Sequence, residues 1–311
     1  MAIIPYIVAY AGIVAFWVII AFRCIAYLKK PMHLRWELYP VAHAKAGRAA
    51  YGGSYLEDSG WWRKKQNPSL PGGIKGFAVE FFLLHSTLYN NRALWFRTYP
   101  FHFGLYMLAG VLCLALLASV LTLPGVQGGV ILPVLARLGS IASLAAFLGI
   151  ATGSLGLIHY RLAVPDLKMY STPEHFLNLG LFLGLSVLGL ALCLTLPSFF
   201  DSLCSFMAAL LSFSFVPQDN ALFSLFIISL FALIAYIPAT HMGHFFMKYF
   251  LWHDIRWGDQ PTQDNPETQR KIDAALTRPV SWKGGHIAGG GGKSWAETAL
   301  SKPTAPKKYD S

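Results

Sequence analysis

Five long stretches without Asp, Glu, Lys or Arg constrain this chain more than any other feature. Crossing about 30 Å of hydrocarbon takes roughly 20 mostly apolar residues in a helix, and each stretch reaches that length. Only 13% of the residues are charged, whereas soluble globular domains carry about 25%. The sequence therefore predicts an all-α integral membrane protein with a five-helix bundle. The predicted spans are Met1–Phe22, Phe101–Leu123, Leu138–Ile158, Phe176–Phe200 and Ala221–Met247.

A sixth uncharged stretch, Ser202 to Gln218, is interrupted by serines and is short for a span. We expect it to form an interfacial or re-entrant segment on the outer side of the membrane. If this stretch crossed the membrane instead, the predicted topology would be wrong.

The distribution of basic residues predicts the orientation. Residues 29–99 contain eleven Lys and Arg against four acids, and residues 248–311 contain ten against seven. The connections 124–133 and 198–219 contain neither Lys nor Arg. Because basic segments stay on the cytoplasmic side, we expect a periplasmic N-terminus and a cytoplasmic C-terminus. The predicted location is the cytoplasmic (inner) membrane of a bacterium or archaeon.

Histidines mark one edge of the predicted bundle. Five of them fall near the cytoplasmic ends of the spans: His102, His159, His175, His241 and His244. Ionisable residues at membrane depth indicate a functional site. Two imidazoles that face each other across a helix bundle can hold the iron of a haem.

Other residues near this edge fit a haem by their sequence positions. Small residues beside the ligands would make room for the macrocycle, and Gly104, Gly110 and Gly243 are candidates. The propionates would need cationic partners at the edge of the membrane. Arg97, Arg161 and Lys248 are the candidates for this role.

Two motifs resemble the cytochrome b (gamma) subunit of respiratory nitrate reductase. Helix two begins Phe101–His102–Phe–Gly104, and helix five ends with His244 six residues beyond Pro238. The long basic loop, the His241–Met–Gly–His244 sequence and the tail resemble one branch of this family. That branch contains the membrane subunits of the sulfite-reduction-associated and tetrahaem-cytochrome-c-associated complexes of sulfate reducers. The resemblance implies haem b with His102 and His244 as iron ligands.

A departure from that family bears on the number of haems. Members of that family bind a second, outer haem through two further histidines. At the corresponding positions this chain has Leu112 and Phe226. We therefore expect one haem on the cytoplasmic side. A second haem would need His159, His175 or His241. We expect His241 to lie one turn before His244 on the same helix face, as a supporting residue, as the ligand in its place, or as a ligand of another haem.

The predicted organisation follows from these sites. Residues 1–28 form a retained first helix, and residues 29–99 form a basic cytoplasmic loop with an interfacial helix. Residues 100–247 form a four-helix haem-binding core, and residues 248–311 form a cytoplasmic tail that docks a partner.

The predicted role is that of an electron-transfer subunit, without activity of its own, in an oxidoreductase complex of anaerobic respiration and sulfur metabolism. The four cysteines form no C-x-x-C pair, so an iron–sulfur cluster must come from a partner. The resemblance implies a cytoplasmic heterodisulfide-reductase-like subunit. Electrons would be exchanged with menaquinone or menaquinol, or with a periplasmic multihaem cytochrome c. Arg137, near the outer face, either contacts a quinone oxygen or snorkels to the membrane surface.

Two rival functions use the same helices without a haem. A transporter would place ionisable groups at mid-depth, and helices two to five have none there. A membrane anchor would explain the helices but would leave the placement of His102 and His244 as a coincidence. We expect no nucleic acid among the partners of this protein.

Overall fold

The computed structural model of the protein describes residues 3–29, 59–60, 64, 70–122, 129–247, 266–280 and 292–300. In these ranges the regular elements are helices, apart from one isolated bridge between Pro279 and Ser294. A 3-10 turn, His241–Gly243, follows the ninth helix. In chain order the helices are α1 (Ile4–Leu28), α2 (Leu70–Leu83), α3 (His85–Asn90), α4 (Arg92–Leu121), α5 (Ile131–Ala163), α6 (Pro165–Met169), α7 (Pro173–Thr195), α8 (Phe199–Leu211), α9 (Ala221–Ala239), α10 (Pro266–Leu276) and α11 (Trp295–Leu300).

Five of the described helices are long and apolar enough to cross a membrane. They are α1, α4, α5, α7 and α9. The prediction of a multi-pass membrane protein with five spans is therefore confirmed. The orientation of its termini stays a prediction.

The predicted starts of the second and third spans were too late. The second, α4, begins at Arg92 rather than Phe101, because the side chain of Asn91 caps it by accepting from the Leu94 amide at 2.9 Å. The third, α5, begins at Ile131 rather than Leu138. At 1.5 Å per residue, both helices exceed the thickness of a bilayer core.

The last two spans end earlier than predicted. The fourth, α7, starts at Pro173 and stops at Thr195. The fifth, α9, stops at Ala239 instead of continuing to Met247. Thr240 has an extended backbone, and Pro238 in the preceding turn weakens the helix.

The Ser202–Gln218 stretch does not cross the bundle. Its helical part belongs to α8, which begins at Phe199 and has 13 residues. This helix is about 20 Å long and short of the hydrocarbon thickness. The hydroxyl of Ser119 donates to the Cys204 carbonyl at 2.8 Å, and the hydroxyl of Tyr6 donates to the Val216 carbonyl at 2.9 Å. These bonds attach the segment to α4 and α1 where α4 ends and α1 begins. We call this end of the bundle the opposite end, and the end with Arg97 and Arg161 the basic end.

Phenylalanines fill the half of the bundle next to the opposite end. Phe199 and Phe147 each meet Phe226 edge-on, with ring centroids 5.2 and 5.6 Å apart. Phe226 and Phe206 are fully buried, and Phe200 almost so. This half of the bundle is a close-packed apolar core that α8 completes.

Glycines bring α4 and α5 into direct backbone contact. A Cβ at Gly104 would lie 2.6 Å from the amide nitrogen of Ile150, and one at Gly153 would lie 2.4 Å from that of Phe101. Small residues allow this close approach between membrane helices. The α4–α5 pair therefore forms the most intimate contact of the bundle.

The chain divides into two compact units. One comprises Met1–Phe22 and Pro71–Gly243, and the other comprises Arg23–Leu70 and His244–Ser311. In the second unit, the Val280 amide donates to the Lys293 carbonyl at 3.0 Å, beside the bridge that connects the ends of α10 and α11.

Candidate functional site

His102 lies at the basic end of α4 and is half-buried. Its Nδ1 lies 2.9 Å from the Thr98 carbonyl oxygen, one turn earlier. A carbonyl oxygen only accepts, so Nδ1 carries the proton and the lone pair of the neutral ring is on Nε2. Metal-bound histidines almost always donate their other ring N–H to a carbonyl or carboxylate in this way. The ring is thus oriented as a metal ligand would be.

The surroundings of His102 differ from the prediction at Gly104. Gly104 packs against Ala146 and Ile150 of α5 and offers no space beside the imidazole. Gly110, also predicted to leave room, has nothing within 4 Å of the position where a Cβ would be. It is therefore the predicted glycine of α4 that has open space beside it.

The end of α9 also differs from the prediction. His241 starts the 3-10 turn after the break at Thr240, and His244 begins a further helical turn at 244–247. The two histidines therefore do not share one face of a continuous α-helix. His244 belongs to the second compact unit, so its pairing with His102 stays a prediction.

His241 contacts two side chains at the start of α7. Its Nδ1 lies 3.0 Å from Oε1 of Glu174, and its ring centroid lies 5.5 Å from that of His175. Both partners of the Glu174–His241 pair are about half exposed, at 52% and 51%. A carboxylate accepts, so Nδ1 of His241 carries a proton, and in the neutral ring the lone pair is on Nε2.

His175 has the opposite arrangement of its ring nitrogens. Its Nδ1 accepts from the backbone amide of Thr172 at 3.1 Å, as part of a capping box at the start of α7. The proton of the neutral ring is therefore on Nε2. Iron binding through Nε2 would require the other tautomer and would break the cap.

The predicted propionate partners have contacts within the protein. The Arg97 guanidinium donates to the Ala93 carbonyl and lies 4.6 Å from the centroid of the Tyr160 ring. Arg161 donates to the Ser171 hydroxyl at 3.1 Å. Arg97 is near the start of α4 and Arg161 near the end of α5, and their role at a propionate stays a prediction. Lys248 lies outside the described residues.

His159 and Arg137 lie on exposed faces of α5. His159 is near the basic end, between exposed Leu155 and Leu162. Arg137 is near the opposite end, beside exposed Leu138 and Ile141. Among the described residues, neither side chain makes a hydrogen bond or an ion pair, and their predicted roles stay predictions.

The described part of the chain contains no group of three or more His, Cys, Asp or Glu side chains placed to hold a metal ion. A haem iron is held by one or two protein ligands, fewer than such a group contains. Comparisons with family models, with curated proteins and with solved structures found no match. The family resemblance therefore stays a prediction.

Sequence reasoning missed Glu174 as a residue of this site. Glu174 is 67 residues from its partner His241, and no local pattern connects the two.

Proposed function

We propose that this protein is the membrane cytochrome b subunit of a respiratory redox complex. One axial ligand of its haem b is His102, and the other is a histidine that follows α9, for which the family resemblance names His244. The observation that carries the proposal is the bond from Nδ1 of His102 to the Thr98 carbonyl, because it directs the Nε2 lone pair as iron ligation requires.

The residues at the basic end fit a haem better than those at the opposite end. Leu112 and Phe226 occupy the positions of the family's outer ligands, and Phe226 is fully buried against other phenylalanine rings. A haem placed there would displace a close-packed core. One haem in the basic half is therefore the arrangement that the packing supports.

The bound haem would supply one-electron chemistry, and the protein would orient and enclose it. His102 would hold the iron from α4. Arg97 is near the start of α4, and Arg161 is near the end of α5. From these positions their guanidinium groups could turn toward the propionates. Lys248 is the third candidate for that role.

The complex would transfer electrons between the quinone pool and a cytoplasmic protein. Menaquinol or menaquinone, or a periplasmic multihaem cytochrome c, would exchange electrons on one side. A heterodisulfide-reductase-like iron–sulfur subunit would exchange them on the other, docked on the basic loop and tail. The excess of Lys and Arg in these segments supports a cytoplasmic position for them. Arg137 is the candidate contact for a quinone oxygen.

The proposal is tested by a dithionite-reduced minus oxidised optical spectrum of the purified protein, with haem quantified per chain. We expect a b-type spectrum with one haem, and its loss in His102→Ala. His159→Ala is the matched control, because His159 is exposed on α5, and it should keep its haem. A folded but colourless wild-type protein would refute the proposal and favour the anchor or transporter.

A further inference from the structure

Two polar side chains inside the basic half of the bundle each have an atom that lacks a hydrogen-bond partner. Asn178 on α7 is 4% exposed, and Ser154 on α5 is fully buried. Among the described residues, neither the side-chain amide nitrogen of Asn178 nor the hydroxyl of Ser154 has a partner. Turning the amide of Asn178 round would exchange its two polar atoms and still leave one of them unpaired. Native proteins rarely leave buried polar atoms unpaired, and a buried water is a common partner for them.

The two side chains lie on facing sides of α5 and α7. These helices pack closely, since a Cβ at Gly189 would lie 2.4 Å from the ring of Phe147. Ser154 is about two helical turns beyond Phe147, on the same face of α5. Phe182 is about two turns before Gly189, on the same face of α7, and Asn178 is one turn nearer the basic end. The depths of Ser154 and Asn178 therefore differ by about 6 Å, the length of two hydrogen bonds through one water molecule.

A third polar group comes from α9. The hydroxyl of Tyr236 donates to Oδ1 of Asn178 at 2.8 Å. Its oxygen keeps lone pairs that accept from a further donor. Three neighbouring helices thus each direct a hydroxyl or an amide into the same part of an otherwise apolar bundle.

A carboxylate continues this series to the surface of the basic end. Glu174 comes four residues before Asn178 on α7, so the two side chains are neighbours on one helix face. The side chain of Glu174 is 52% exposed, and its Oε1 lies 3.0 Å from Nδ1 of His241. Polar groups therefore follow one another at intervals of about one helical turn from the surface to Ser154. They stop there, because phenylalanine rings fill the half next to the opposite end.

We propose that water enters between α5, α7 and α9 and carries protons from Glu174 to Asn178 and Ser154. Each water molecule accepts a proton on one side and releases one on the other, so a proton moves inward and no group is oxidised or reduced. Water fits both unpaired atoms because it is small, donates and accepts. Polar and ionisable residues inside membrane helices face water-filled cavities and mark proton routes.

The inner end of this route lies at the depth of the proposed haem. Ser154 follows Gly153, whose Cβ would lie 2.4 Å from the amide nitrogen of Phe101, and His102 comes directly after Phe101. A redox group there would gain or lose its electron beside a supply of protons. The route goes beyond the proposed function and does not require the haem.

The experiment uses solid-state NMR of the full chain in lipid bilayers. Asparagine is labelled with ¹⁵N and ¹³C, and leucine with ¹³C at its carbonyl. Asn178 is the only Asn in the sequence that directly follows a Leu, so its signals are assigned without a variant. The two readouts are magnetisation transfer from water to the side-chain amide and exchange of that amide in D2O. We expect the Asn178 amide to receive transfer and to exchange on the time scale of the exposed Asn90.

Two pairs of variants test the ends of the route. Ser154→Ala removes the inner hydroxyl and should reduce water transfer to the labelled amide. Ser143→Ala is its matched control, because Ser143 is also fully buried on α5 but donates to the Gly139 carbonyl at 2.7 Å. Glu174→Leu removes the outer polar group and should slow exchange in D2O. Asp166→Leu is its control, because it removes an exposed carboxylate from the neighbouring helix α6.

Each outcome has a separate meaning. A wild-type Asn178 amide that receives no water transfer and keeps its protons long after Asn90 has exchanged would refute the route, whether or not the variants fold. Water transfer together with slow exchange would show a trapped water and overturn the proton route. Equal effects of Ser154→Ala and Ser143→Ala would show that the route does not reach Ser154. None of these results depends on the haem, so a failed route leaves the cytochrome b proposal standing.

Discussion

Replacing Gly104 with Ala tests the close contact between α4 and α5. The added Cβ would lie 2.6 Å from the Ile150 amide nitrogen and 2.7 Å from the Ala146 carbonyl oxygen. Ordinary contact begins at 3.4 Å, so the two helices must separate by several tenths of an ångström. Both obstructing atoms belong to the backbone of a helix, and neither can turn away as a side chain would.

The expected magnitude follows from two opposing effects. Overpacking of a filled core costs about 1–3 kcal/mol. Alanine is favoured over glycine inside a helix by about 0.5–1 kcal/mol, which offsets part of this. We therefore expect Gly104→Ala to lower the free energy of unfolding by roughly 1–2 kcal/mol.

Gly110→Ala is the matched control on the same helix. Nothing lies within 4 Å of the position where its Cβ would be, so only the helix preference acts. This variant should be neutral or slightly more stable than the wild type.

Unfolding of both variants would be followed by circular dichroism as a function of temperature, in one detergent and at one protein concentration. A lower midpoint for Gly104→Ala than for Gly110→Ala is the expected result. Equal midpoints would show that α4 and α5 are not in backbone contact at Gly104. In that case Gly104 would again be a candidate for leaving space beside the His102 ring.

Three further predictions concern other parts of the molecule. Tyr236→Phe should destabilise the protein by about 1–3 kcal/mol, measured by thermal unfolding, because buried Asn178 loses the partner of its Oδ1. The backbone amide of Ser294 and, to a smaller extent, its hydroxyl donate to Glu297 and hold the pKa of that carboxyl below its ordinary value. Ser294→Ala removes only the hydroxyl bond and should therefore raise the pKa of Glu297 part of the way, measured by carboxyl NMR. The contribution of this cap to α11 is present above the ordinary pKa of the carboxyl and is lost as pH falls through the lowered one. If the proposed haem and quinone contact exist, Arg137→Gln should slow reduction of the haem by a menaquinol analogue in a stopped-flow assay while leaving the haem content unchanged.

Each of these three has a result that contradicts it. Unchanged stability of Tyr236→Phe would mean that the Asn178 side chain has another arrangement. An unchanged pKa of Glu297 in Ser294→Ala would show that the Ser294 hydroxyl does not donate to this carboxylate. If the haem of Arg137→Gln is reduced as fast as that of the wild type, Arg137 does not contact the quinone. It would then be a residue that snorkels to the membrane surface.

The spans could be predicted from the sequence because insertion into a membrane depends on a local property. About 20 consecutive apolar residues are enough to define a span, whatever the rest of the chain does. The orientation of His102 is also local, since Thr98 and His102 belong to the same helix and are four residues apart.

The ends of the spans and the neighbours of the site depend on packing, which no local pattern records. Gly104 was expected beside a haem, yet it faces α5, because the close approach of two helices determines which face turns inward. His241 was expected on one helix face with His244, yet His241 lies in the 3-10 turn that follows α9 and His244 begins the helical turn after it.

Local apolarity therefore accounts for the number of membrane helices. The spacing of residues within one helix accounts for the hydrogen bond between Nδ1 of His102 and the Thr98 carbonyl. The contact between Glu174 and His241 exists only because α7 and α9 lie side by side in the folded bundle. Likewise, α8 closes one half of the interior with phenylalanine rings that come from separate parts of the chain. Such contacts join residues that are far apart in the chain, so they arise from the folded arrangement of the helices and from no single segment.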